Sequence, residues 1–171
     1  MKRVIAVSDS HGNAEALRCA VELALRKGSI DVLVFLGDGL YDLKEINALL
    51  TERVPPVQLI AVRGNCDFII RYPVEETFVL HGRRFLALHG HTCHVKSGLL
   101  TLSCAAAEKE ASVTLFGHTH VPHLEPCGNG WLINPGALCG TPVRKTAYAE
   151  ILVADNGALR PNLVDWAGEV L

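Results

Sequence analysis

The sequence predicts an α/β fold in which two β-sheets pack face to face and helices lie outside them. Three observations carry this expectation. In the first half, short and nearly continuous apolar runs alternate with helix-patterned segments, as parallel βαβ units require. In the second half the pattern changes to paired strands around Gly-containing turns. The chain is 49% hydrophobic and 20% charged, enough to bury a sizeable core, and at 6% aromatic that core must be largely aliphatic. Its 171 residues suit one domain spanning 1–171.

Each element follows in order. RVIAVSD (3–9) is a short apolar run with β-branched residues, so a buried strand. NAEALRCAVELALRKG (13–28) repeats apolar residues at helical spacing, with Asn13 as N-cap and Gly28 as its stop. DVLVFLGD (31–38) is a second buried strand, and YDLKEINALLTER (41–53) reads as a helix ended by Pro55 and Pro56. VQLIAVRGN (57–65) is the third strand. TFVLHGRRFLALHGH (77–91) predicts two strands joined at His81-Gly82. A helix follows over 97–111, then the strand SVTLFGH (112–118). HLEPCGNGWLINPG (123–136) predicts a hairpin turning at 128–130, and 146–166 a second hairpin turning at Asn156-Gly157.

Composition excludes several function classes. A net charge of −2 leaves no basic footprint for a dedicated nucleic-acid binder. No apolar run approaches the ~18 residues of a membrane span, and MKRVIAVSDS has too short an apolar stretch for a signal peptide. A cytoplasmic location is the expectation. The six cysteines are irregularly spaced with no C-x-x-C, which predicts free buried thiols rather than disulfides. Nothing in the composition identifies a macromolecular partner, and a homo-oligomer stays open.

The polar residues collect where apolar runs end. The runs finish at Asp9 and His11, at Asp38, at Asn65, at His89 and His91, and at His118 and His120. Gly37, Gly64 and Gly117 each stand immediately before one of these residues, where positive φ or close backbone approach lets a strand turn sharply. Asp, Asn and Gly are ordinary turn formers, so one such exit means little. Five exits carrying oxygen and nitrogen donors suggest a metal cluster at the carboxyl ends of the strands. FGHTHVP (116–122) raises its own question, since alternate residues of an extended chain lie about 6.5 Å apart. That is too wide for a tight pair on one ion and suits two neighbouring ions.

D-x-H, G-D, G-N, H and G-H-x-H, in that order from Asp9 to His120, resemble the motif set of the calcineurin-like metallophosphoesterases. GNCD at 64–67 and NPG at 134–136 look more specifically like the YfcE-type phosphodiesterases. The resemblance implies a four-layer αββα sandwich of two mixed β-sheets flanked by helices, with a site for two divalent metal ions. Carried over, the motifs place Asp9, His11, Asp38 and His120 on the first ion. Asp38, Asn65, His89 and His118 fall on the second, with Asp38 bridging.

Such a site would hydrolyse small phosphodiesters by attack of a metal-activated hydroxide, with Asp38, Asn65 and His91 among the catalytic residues. With two carboxylates against two dications it stays electropositive and attracts a phosphate ester. Nitrogen and oxygen ligation without Cys suits Mn, Fe, Ni or Zn better than Mg or Ca, and the resemblance favours Mn. In the wider superfamily a histidine follows the asparagine and protonates the leaving group; here Cys66 stands there. His91 could serve as acid or phosphate contact, or pack in the core. Arg63 could aid phosphate binding or stand solvated at a strand edge. His81, His94 and His123 read as structural or surface residues. The alternatives are a phosphomonoesterase or nucleotide pyrophosphatase with the same centre, or a non-catalytic protein-binding scaffold of the retromer-subunit type.

Overall fold

Short apolar runs place ten strands in two five-stranded sheets in the computed structural model, which describes residues 1–68, 71–139 and 146–171. The strands are β1 (Lys2–Val7), β2 (Val32–Phe35), β3 (Gln58–Ala61), β4 (Glu75–Leu80), β5 (Arg83–Leu88), β6 (Val113–Leu115), β7 (His123–Cys127), β8 (Gly130–Asn134), β9 (Thr146–Val153) and β10 (Leu159–Asp165). One sheet runs β10-β9-β1-β2-β3 and the other β4-β5-β6-β8-β7. β1, β2 and β3 are mutually parallel, as are β5, β6 and β8, while β9, β10, β4 and β7 pair antiparallel. Both sheets are therefore mixed.

Three apolar layers hold the fold. Between the sheets, Val4, Ala6, Val34 and Val62 meet Phe85, Ala87, Val113, Leu115 and Ile133. On the outer face of the first sheet, Ile5, Val7, Leu33 and Phe35 pack against α1 (Ala14–Arg26) through Leu17, Ala20, Val21 and Ala24. On the outer face of the second, Leu86, Leu88 and Leu132 pack against α3 (Leu100–Glu108) through Leu102 and Ala106. Helix, sheet, sheet, helix is the four-layer αββα order that the resemblance implied.

α1 begins as its sequence demands: the Asn13 side chain accepts the Ala16 N–H at 3.1 Å. The hairpin of β4 and β5 turns at His81 and Gly82, both at positive φ (46° and 75°). One expectation is corrected. Residues 41–53 do not form one helix but a 3-10 helix, Leu40–Ile46, followed by the short α2 (Asn47–Thr51). Leu40, Leu43 and Ile46 are buried at a spacing of three. That matches three residues per turn and presents all three to one core. Among the described residues no two cysteines form a disulfide, as expected, but Cys93 alone is buried while Cys66 and Cys104 are exposed. Among the described residues no helix is long and apolar enough to cross a membrane.

Candidate metal centre

The carboxyl ends of β1, β2, β3, β5 and β6 bring their exits to one place. The exits are tied by backbone bonds: Asp9 N–H to Gly37 O (3.0 Å), His11 N–H to Asp38 O (2.9 Å) and Gly117 N–H to His89 O (3.0 Å). Asp9, His11, Asp38, His118 and His120 all have positive φ (55°, 45°, 56°, 66° and 59°). This refines the reading of the preceding glycines. Gly37 does take positive φ (95°), but Gly64 and Gly117 do not. Their need is space: a Cβ on Gly64 would strike the Asp38 carboxylate, and one on Gly117 would strike Ser8 and Asp9. The turning strain falls on the polar residues themselves, which costs of order 1–3 kcal/mol each.

Donor atoms converge in two groups. His11 Nε2 lies 3.3 Å from His120 Nε2 and 3.6 Å from both Asp9 Oδ1 and Asp38 Oδ2, and His120 Nε2 lies 3.1 Å from Asp9 Oδ1. His89 Nε2 lies 3.4 Å from Asp38 Oδ2, and the donor atoms of Asp38, His89 and His118 all fall within 4.8 Å of one another. Asp38 belongs to both groups. Ligand bonds of about 2.0–2.2 Å set neighbouring donors on one ion roughly 3–3.5 Å apart, and the close pairs match.

Burial gives an independent test. Asp9 Oδ1 and His89 Nε2 are buried and have no hydrogen-bond partner among the described residues. Leaving such groups unmatched costs about 1–3 kcal/mol or more each. His89 Nδ1 sits 2.7 Å from Leu36 O, so Nδ1 carries the proton and donates it there, which aims the Nε2 lone pair into the cluster. A cation satisfies these atoms together. The residues fit divalent metal.

Two candidates sit differently. Asn65 is exposed, and its Nδ2 donates to Cys66 Sγ at 3.2 Å. His91 is beside the second group, its ring 5.5 Å from His89 and 6.2 Å from His118, with a buried Nδ1 that has no partner among the described residues. His81 and His123 take structural places, at Ala154 O (3.0 Å) and Glu125 (2.9 Å).

The electrostatics favour neutral imidazoles on the outer side. Burial, with the charges of His89 and Lys96, pushes His118 down to about 4. Burial and the His89 charge lower His91, and Arg63 adds to this. Burial opposes a charged His89, but the nearby carboxylates of Asp38, 3.4 Å from Nε2, and Asp9 outweigh it and raise its pKa.

Several residues that build the site went unread in the sequence. Asp67 is buried and accepts the N–H groups of Asp38, Gly39, Leu40 and Gly64. Ser8 Oγ donates to Asp9 Oδ2 at 2.6 Å. Asn134, quoted only as part of NPG, is wholly buried, donates to Gly117 O (2.8 Å) and Thr119 Oγ1 (3.1 Å), and accepts from Gly136 N–H. Two thiols also reach the cluster, Cys139 with His11 and His120, and Cys66 with His11 and Asp38. Lys96 was not singled out either; its charge reaches His118.

Comparison with known proteins agrees with this geometry. The chain is 32% identical to the probable metallophosphoesterase YsnB of Bacillus subtilis, covering 96% of this chain and 92% of YsnB. It is 31% identical to the phosphodiesterase YfcE of Escherichia coli K12, covering 81% and 80%. A crystal structure of a conserved protein from Streptococcus pneumoniae TIGR4 superposes with a TM-score of 0.77 at 25% identity, covering 99% of this chain and 92% of that one. Vps29 of Chaetomium thermophilum superposes with a TM-score of 0.72 at 16% identity, covering 100% and 95%, a likeness of fold alone. The profile of the calcineurin-like phosphoesterase superfamily domain matches residues 1–157. With its five exits and convergent donors, the chain belongs to that superfamily, among the YfcE-like metallophosphoesterases.

Proposed function

We propose that the chain hydrolyses small phosphodiesters at a centre of two divalent ions. The observation that carries this reading is Asp38, whose Oδ2 lies 3.6 Å from His11 Nε2 and 3.4 Å from His89 Nε2. Asp9, His11, Asp38 and His120 would hold one ion, and Asp38, Asn65, His89 and His118 the other. When bound, the ions lower the pKa of coordinated water and offset charge on the phosphoryl oxygens. Manganese suits the second position, whose donors are nitrogen and oxygen only.

The chain's own groups do the rest. Asp67 and Asn134 hold the exits, so the donors are positioned before substrate arrives. Arg63 and Lys96 lend positive charge around His91 and His118, where a phosphate anion would be received. His91, held neutral by burial, stands beside His89 and His118, where its ring would contact a phosphoryl oxygen. Cys66 supplies no imidazole acid, and its sulfur accepts a hydrogen bond from Asn65 Nδ2 instead. The likeness to Vps29 rests on fold alone and does not favour a scaffold role.

The test joins metal content to turnover. Elemental analysis of loaded protein is expected to give about two ions per chain. Chelation should abolish hydrolysis of aryl phosphodiesters, and Mn should restore it. Asp38→Ala should lose both ions and activity, whereas Asn65→Ala keeps three protein donors at its position and more of its metal. Hydrolysis by metal-free protein at the full rate would overturn the proposal. Preference for monoesters or nucleotide pyrophosphates across a panel would replace the substrate class.

A further inference from the structure

We infer that Cys139 is a ligand of the first ion, making that position thiophilic while the second stays a nitrogen and oxygen site. The inference rests on the reading that His11 and His120 hold an ion.

Sulfur of Cys139 and the imidazole nitrogens of His11 and His120 lie within 4.8 Å of one another. The placement is anchored: Cys139 N–H donates to Asp9 O at 2.8 Å and Leu138 N–H to Ser8 O at 3.1 Å, while Leu138 is buried. The segment is thereby fixed to the exit of β1, and Cys139 stands beside Asp9. A second observation points to a cation there. Asp9 Oδ1 is wholly buried and without a hydrogen-bond partner among the described residues, 3.1 Å from His120 Nε2. His11 Nε2 and His120 Nε2 thus share two neighbours, Asp9 Oδ1 at 3.6 and 3.1 Å and Cys139 Sγ within 4.8 Å, so an ion held by the two imidazoles would have one oxygen and one sulfur beside it.

That donor set suits zinc or cobalt(II) better than manganese, because thiolate is a soft ligand. Binding releases the thiol proton to solvent, and the thiolate charge offsets part of the dication. Cys66 is the less suitable thiol. It falls with His11 and the Asp38 carboxylate, not with His120.

Cobalt(II) provides the test without reference to turnover. Loaded wild-type protein is expected to show visible d–d bands together with sulfur-to-cobalt charge transfer in the near ultraviolet. Cys139→Ser should lose the charge-transfer absorbance, keep d–d bands and bind cobalt at least tenfold more weakly. Cys66→Ser should keep the charge transfer. Thermal unfolding of both metal-free variants checks that each is folded. Charge transfer that follows Cys66, or d–d bands without any charge transfer in the wild type, would overturn the inference and leave the metal centre standing. Absence of cobalt binding altogether would instead overturn both the ligation by Cys139 and the metal centre.

Discussion

Four backbone N–H groups end on one carboxylate, that of Asp67, at 2.7 to 3.0 Å, although Asp67 is not itself among the metal donors. Two strand exits share this single anchor, so the position of Asp38 depends on it. Asp67→Ala leaves buried N–H groups unmatched and should cost about 3 kcal/mol or more. That lowers Tm by roughly 10 °C at this chain size. Asp67→Asn keeps the volume but faces four donors with one acceptor oxygen, and should also lose metal. Calorimetry and metal analysis of both variants check this; unchanged metal content in Asp67→Ala would show that Asp38 is held by other means. A second expectation lies in Cys66. Without a histidine acid, alkoxide leaving groups forgo a contribution of ~10²–10⁴ in rate, or roughly 3–5 kcal/mol. Rates over diesters of graded leaving-group pKa should fall steeply from aryl to alkyl, and a flat series would expose an acid, with His91 the first to mutate. The convergence of Asp9, His11, Asp38, His89, His118 and His120 was legible because Asp and His recur at strand exits in a fixed order. Asp67 and Asn134 were not, because they act through backbone groups of distant loops, which leave no side-chain pattern.

Elements were legible where a local rule set them. Asn13 caps α1, and His81-Gly82 turns the β4–β5 hairpin at positive φ. The stretch 40–51 was not, because helix propensity competes there with a core that asks for burial every third residue. Asp42 adds to this, since its Oδ2 is drawn aside by Ser10 Oγ (2.6 Å) and Gly12 N–H (3.0 Å). At the entry to β2, Asp31 ties two strands, accepting from Lys2 Nζ and from Arg3 N–H, both at 2.8 Å. Burial opposes its charge, but the Lys2 bond and the Arg3 N–H outweigh it and hold the carboxyl below its ordinary 3.8. A lowered folded pKa means that the bond stabilises the fold above the unfolded pKa. The contribution is therefore full at neutral pH and is lost as pH falls below about 4 through the folded value. Asp31→Asn should cost about 1 kcal/mol at pH 7. The gap to wild type should close by pH 2 in urea titrations; a gap that widened with acid would reverse the assigned sign.

At the scale of the molecule, layering was legible and strand order was not. Continuous apolar runs announced strands covered on both faces, and both sheets are covered by helices. No local pattern states that β8 slots between β6 and β7, or that β9 lies against β1. Those pairings are decided by which faces remain open after the local units form. The β1–β9 ladder, Lys2 with Val153 through Ala6 with Ala149, joins the start of the chain to its last quarter. On a ribosome this imposes a wait. At ~5–20 residues per second, roughly 7–30 s separate the emergence of β1 from that of β9. Through that interval β1 can pair with β2 on one side while its other edge stays an open template for foreign strands. A nascent chain stalled at residue 139 should therefore bind chaperones and resist no protease. Release of the chain with β9 and β10 complete should switch it to protection in one step, and protection already present at residue 139 would show that the first sheet closes without its final hairpin.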